Sequence, residues 1–211
     1  MKYFHLIGFL LLTLTPLRVN ASIMGTCSSD TLASYTAGGT CAIGDKTFGN
    51  FAAVLTSVSA LGTATPNNLT SILVVPGGTS TNPSFSFQAA YNASGLAASE
   101  SLTIIYNGFA PANDPFTGAN LSLSGASVSG LAAITGAEAL CQNGGFVNIQ
   151  IAIPPACSSG VVVNGLLLSQ ITNANLGATV QFNFSPVTQL GVLKQITLTG
   201  ALNSSASATP A

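Results

Sequence analysis

From Phe48 onward the chain alternates apolar and polar positions with a period of two. PSFSFQAAY sets Phe85, Phe87 and Ala89 against Ser84, Ser86 and Gln88, and SLTIIYNG places Leu102, Ile104 and Tyr106 on one face. ANLSLSGASVSG alternates Leu121 and Leu123 with serines, and ATVQFNFSPV does the same with Val180, Phe182 and Phe184. GFVNIQIAIPP alternates through Val147, Ile149, Ile151 and Ile153 until Pro154-Pro155 stops it, and LGVLKQITLTG points Ile196 and Leu198 inward. This periodicity predicts strands with one buried face. SILVVPGG ends an apolar run on a turn, and Asn164-Gly165 divides GVVVNGLLLSQI into a strand pair.

Helical signals are few. TLASYTAGGT suits a short helical turn or a loop before Gly38-Gly39. GLAAITGAEAL has Leu131, Ile134 and Ala137 at helical spacing, but Gly130 and Gly136 make it a poor helix. The pattern predicts an all-β chain: a two-sheet antiparallel β-sandwich, jelly-roll-like, whose facing layers supply the core. The outward Ser, Thr and Gln rows hydrate it, and its edges lack charged gatekeepers, so disulfides or folded-over loops are the expected protection.

The ends divide the chain further. Residues 1–21 carry one early lysine, an apolar run from Phe4 to Leu14, and Val19 and Ala21 before Ser22. That is the pattern of a secretory signal peptide, too short to span a bilayer. Residues 22–200 then form a single sandwich domain, and 201–211 a flexible tail with little to bury. The chain has 211 residues, enough for one domain with a substantial core.

Charge narrows the function. Past residue 21 there are two lysines, Lys46 and Lys194, and five carboxylates: Asp30, Asp45, Glu100, Asp114 and Glu138. Two cations cannot neutralise a phosphate backbone, which excludes nucleic acid as a partner, and no basic amphipathic face is present for anionic lipid. No later apolar stretch is long enough to be an integral membrane helix. All four cysteines, Cys27, Cys41, Cys141 and Cys157, lie beyond the signal, so two disulfides in an oxidising compartment are expected. Sequence alone admits three pairings. The local one, Cys27–Cys41 with Cys141–Cys157, is the simplest, each loop of about 15 residues adding roughly 3 kcal/mol. The cysteines are too widely spaced for a structural zinc site, and no histidine remains after His5 leaves with the signal.

The stretch CAIGDKTFGNF, Cys41 to Phe51, gathers the densest chemistry. Asp45 beside Lys46 invites a catalytic reading, but a carboxylate pair needs a second acid facing it, and the spacing supplies none. Gly44-Asp45 reads instead as turn chemistry, with Lys46 on the wet side or paired across the loop. Phe48 and Phe51 are three apart, which predicts a bulge where the first long strand begins. The loss of histidine removes a Ser-His-Asp triad, paired cysteines remove thiol chemistry, and no cofactor motif is present. Tyr35, Tyr91 and Tyr106 are the candidates for a ligand face, because an exposed ring stacks on a sugar while its hydroxyl hydrogen-bonds.

The same stretch carries a resemblance. Cys27, Thr31 to Tyr35, Gly38-Gly39, then Cys41, Ile43 to Lys46, Phe48 and Asn50-Phe51 resemble the opening of PEP-CTERM-associated secreted bacterial proteins, a family without an established activity. Glu138, Cys141 and Gly144-Gly145 continue the likeness, as do Pro186, Leu190, Val192, Lys194 and Ile196, with Gln195 where the family tends to carry Asp. Such relatives finish with a Pro-Glu-Pro sorting segment, whereas this sequence finishes with ATPA. The resemblance implies a bacterial protein, secreted or periplasmic. The expectation is a non-enzymatic β-sandwich with a structural or adhesive role at the cell surface or in the extracellular matrix. Extracellular polysaccharide or surface proteins would be its partners. The alternative is a weak carbohydrate-binding module.

Overall fold

The computed structural model describes residues 24–64, 68–147, 149, 156–162, 169–201 and 204–208. The expected signal segment, most of the strand expected through Val147 to Ile153, and the expected Asn164-Gly165 turn lie outside these residues.

The opening segment folds around the first disulfide. Strand β1 (Met24–Thr26) pairs in parallel with β3 (Thr40–Ile43), and Cys27 bonds to Cys41 between them. The parallel pair is a departure from a purely antiparallel scheme. Between these strands come β2 (Asp30–Thr31) and a short helix α1 (Leu32–Thr36), the helical turn that TLASYT suggests. Thr31 caps the helix by accepting from the Ser34 amide.

Strand β4 (Lys46–Ala64) follows β3 across a two-residue turn, with Ile43 opposite Lys46. Gly44 sits at φ +63° in the first turn position, the pattern of a II′ hairpin. An added Cβ there would also lie 2.4 Å from the Ser80 Cβ. The expected bulge is present. The β4 register shifts between Gly49 and Ala52, and Asn50 takes φ +55°, so Phe48 and Phe51 both turn into the core.

Strand β7 (Tyr91–Phe109) is the spine, pairing along nearly all of β4. On its other side lies β14 (Gln189–Thr199), followed by β10 (Ala133–Gln142) and β11 (Val161–Val162). β12 (Ser169–Ile171) also pairs with β10. Smaller sheets pack on this large one: β2 with β5 (Leu73–Gly78) and β6 (Pro83–Gln88), and β8 (Phe116–Ser122) with β13 (Thr179–Val187). The protein is thus an all-β sandwich with unequal layers. On the outer face of the large sheet Ser101 meets Thr197 at 3.1 Å and Gln195 donates to Ser101, which realises the expected polar rows.

Differences from the sequence expectations have clear causes. GLAAITGAEAL forms no helix: its second half is β10, a central strand held by ten residue pairs with β14. Tertiary pairing decides where local propensity is weak in both directions. The tail is not flexible throughout. Ser205–Ala208 form strand β15, inserted between β7 and β9 (Ala126–Val128), with Ala206 fully buried. Small Ser and Ala side chains hide this strand from a hydrophobicity reading, yet they let it fit a narrow slot. The second disulfide, Cys141–Cys157, ties the end of β10 to the chain ahead of β11.

Candidate functional site

The tyrosines do not form an exposed face. Tyr35, Tyr91 and Tyr106 are only 2%, 2% and 7% accessible, each in the core. Tyr35 lies edge-on to Phe51 at 5.0 Å and donates its hydroxyl hydrogen to the Ser28 carbonyl. Tyr106 stacks on Phe51 at 5.1 Å. Inward alternation on β7 and the α1 packing face bring these rings together with Phe85, so their area stabilises the core.

Lys46 takes the paired alternative rather than the wet one. It is 2% exposed, and its Nζ binds Asp114 at 2.5 Å and Asp45 at 3.2 Å. The Phe116 ring lies beneath the same nitrogen. The turn carboxylate next to Lys46 is therefore half of a clamp that ties the β3–β4 hairpin to the loop after β7. Burial by itself would lower the Lys46 pKa, but hydrogen bonds to Asp114 and Asp45 outweigh it and raise it.

The remaining acids are engaged as well. Asp30 accepts from the Thr31 amide and the Ser34 hydroxyl at the start of α1. Glu100 is fully buried and accepts from the Asn92 amide. Glu138 and Lys194 face each other as direct cross-strand partners on β10 and β14, with Nζ to Oε1 at 2.8 Å. Lys194 lies in a central strand rather than at a sheet edge. Burial pulls its pKa down, and the Glu138 charge more than reverses this, leaving it raised. Among the described residues no group of three His, Cys, Asp or Glu converges as metal ligands.

Sequence reasoning passed over the Glu138–Lys194 pair, although the signal is present. On β10 the inward phase runs Ile134, Gly136, Glu138, Leu140, and on β14 it runs Leu190, Val192, Lys194, Ile196. Reading GLAAITGAEAL at helical spacing obscured the first of these rows.

The pair borders a cavity of about 640 Å³ between the large sheet and the strands β6, β8 and β13. Its walls include Phe85, Phe87, Tyr106 and Phe116, with Tyr91, Lys46, Glu138 and Lys194 among them. Among the described residues, two buried polar atoms at this wall have no hydrogen-bond partner, the Tyr91 hydroxyl and Glu138 Oε2. The cavity is thus a cleft of mixed lining, aromatic and aliphatic side chains beside hydroxyls, amides and the Glu138–Lys194 pair, and of a size usual for a small-molecule site.

The buried tyrosines and lysines set an alkaline limit. Burial, with the Asp30 charge, raises Tyr35 to about 12. Burial dominates at Tyr106, also about 12, and at Tyr91 burial and the Glu100 charge raise the pKa further. Groups whose folded pKa lies above the unfolded value stabilise fully below the unfolded pKa, and that contribution is lost as pH rises through the folded one. With unfolded tyrosine near 10 and lysine near 10.5, stability is expected to hold to about pH 10 and fall steeply toward 12. Tyrosinate absorbance at 295 nm should therefore stay flat until the far-ultraviolet strand signal collapses with it. Titration of the tyrosines in the intact fold, well before unfolding, would contradict this.

Comparison with protein-family models, curated proteins and solved structures gave no match to this chain. The fold and site define an all-β, disulfide-bonded sandwich containing an interlayer cleft. Its closed disulfides are those of an oxidising, non-cytoplasmic setting. Among the described residues no helix is long and apolar enough to cross a membrane.

Proposed function

We propose that the protein is a non-enzymatic β-sandwich module, secreted or periplasmic, with a structural or adhesive role at the cell surface or in the extracellular matrix. We group it with the PEP-CTERM-associated secreted bacterial proteins on the strength of its opening motif. The observation that carries this reading is the use made of the charged residues. Lys46 clamps Asp45 and Asp114, Lys194 holds Glu138, Asp30 caps α1, and Glu100 anchors the Asn92 amide. These contacts close the fold, one disulfide staples its opening segment, and the other ties the end of β10 to the chain ahead of β11. The carbohydrate-binding alternative relied on an exposed tyrosine face, and those rings are core residues.

The reading is tested by expressing the full chain in an exporting bacterial host. The expected result is processed protein outside the cytoplasm, with both disulfides closed by intact mass before and after reduction. Beads coated with it should bind cell-envelope preparations, and beads coated with reduced, unfolded protein should not. Recovery in the cytoplasm with free thiols, or absence of envelope binding, would overturn the proposal.

A further inference from the structure

We propose that the interlayer cleft is a binding site for a neutral amphipathic small molecule, with an apolar body and a hydroxyl or N–H donor at one end. This does not rest on the surface role above. It starts from what the cleft contains. A volume of about 640 Å³ falls within the range of small-molecule sites, and its wall sets aromatic and aliphatic side chains such as Phe85, Phe87 and Phe116 beside hydroxyls and amides such as Ser84, Asn120 and Gln181. A packed sandwich core ordinarily leaves voids no larger than a water molecule, so an opening of this size between layers is a departure from normal packing.

The polar groups decide the ligand class. Glu138 Oε1 is taken by Lys194, while Oε2 is buried without a partner. The Tyr91 hydroxyl is buried and unpartnered at the same wall. Orphaned buried polar atoms are uncommon, because each carries the desolvation cost of a missing hydrogen bond. A ligand hydroxyl or N–H would supply a donor to Glu138 Oε2 and a partner to Tyr91. Charge argues against ionic ligands. An anion would meet the free Glu138 oxygen, with Lys194 already engaged and Lys46 held by two carboxylates. A cation would sit beside the Lys194 ammonium. A neutral molecule with one or two donors fits what remains.

The test uses the oxidised mature protein and N-phenyl-1-naphthylamine, a neutral apolar fluorophore with one N–H donor. Fluorescence enhancement is expected, displaced by decan-1-ol about tenfold more effectively than by decanoate or decylammonium. Ala119→Phe on β8 puts a ring into the cleft and should weaken enhancement several-fold, with the strand signal in circular dichroism retained. Tyr91→Phe keeps the ring and should weaken decan-1-ol binding several-fold, while leaving the unliganded protein as stable as before or more so, since a buried orphan is removed. A merely structural hydroxyl would not separate these two readouts. No enhancement would mean that the cleft holds only water, and would overturn the proposal. So would equal displacement by the three decyl compounds, enhancement left unchanged by Ala119→Phe, or unchanged decan-1-ol binding in Tyr91→Phe.

Discussion

Replacing Glu138 by alanine is expected to lower the folding stability by about 3 kcal/mol, read as the urea midpoint followed by tyrosine fluorescence. The side chain is 2% exposed and holds Lys194 Nζ at 2.8 Å across the β10–β14 ladder. Removing it leaves an ammonium in the sandwich with no counter-charge, and breaking such a pair costs more than the pair contributes. The value falls at the low end for buried pairs, because Lys194 borders the cleft and keeps some contact with solvent. The double change Glu138→Leu with Lys194→Met separates charge from packing. Both charges then leave together, and stability should return to within about 1 kcal/mol of the natural chain. A double variant as unstable as Glu138→Ala would show that shape, rather than the uncompensated charge, is what matters at this position.

Ending the chain at Gly200 is the second large effect, expected at about 3 kcal/mol or a fall of roughly 6 to 12 °C in Tm. Strand β15 pairs with Tyr91 to Ser94 on one side and with Ala126 to Val128 on the other. Its removal also takes away the Ser204 hydroxyl, which accepts from the Leu131 amide, and the Ser204 carbonyl, which accepts from the Gly95 amide. Strand β9 then loses the strand it pairs with, and backbone groups on the inner side of β7 face water. A truncated protein with an unchanged melting curve would show that residues 201–211 act as the loose tail that their composition suggests.

These two sites mark where the sequence was legible and where it was not. Period-two runs such as Phe85-Phe87 and Leu102-Ile104-Tyr106 identified sandwich strands, because alternation maps directly onto the two faces of a sheet. The local disulfides, the Gly44-Asp45 turn and the bulge between Phe48 and Phe51 were also readable, since each is settled by neighbours in sequence. What escaped was set by distant partners. Whether Lys46 faces water or pairs is open until Asp114, far along the chain, is placed beside it. Lys194 and Glu138 look isolated until strand pairing makes them opposite numbers. The tyrosines could be assigned to a strand or a helix but not to a depth, because depth depends on what covers the face. The cleft was illegible for the same reason: it belongs to the gap between layers, and no single segment encodes a gap.

The inward use of charge has one more consequence, for how the molecule meets anything else. Beyond residue 21 only two lysines and five carboxylates are present, and both lysines are bound to carboxylates at contact distance. Each lysine is neutralised where it sits, and what remains is the modest field of about three uncompensated carboxylates spread over the whole domain. Encounters with a partner are then not steered by long-range attraction, and association should proceed at the slower pace of unguided docking. Dissolved salt, which screens surface charge over roughly 10 Å, has little to screen here. A surface of hydroxyls and amides works alike in fresh water and in brine.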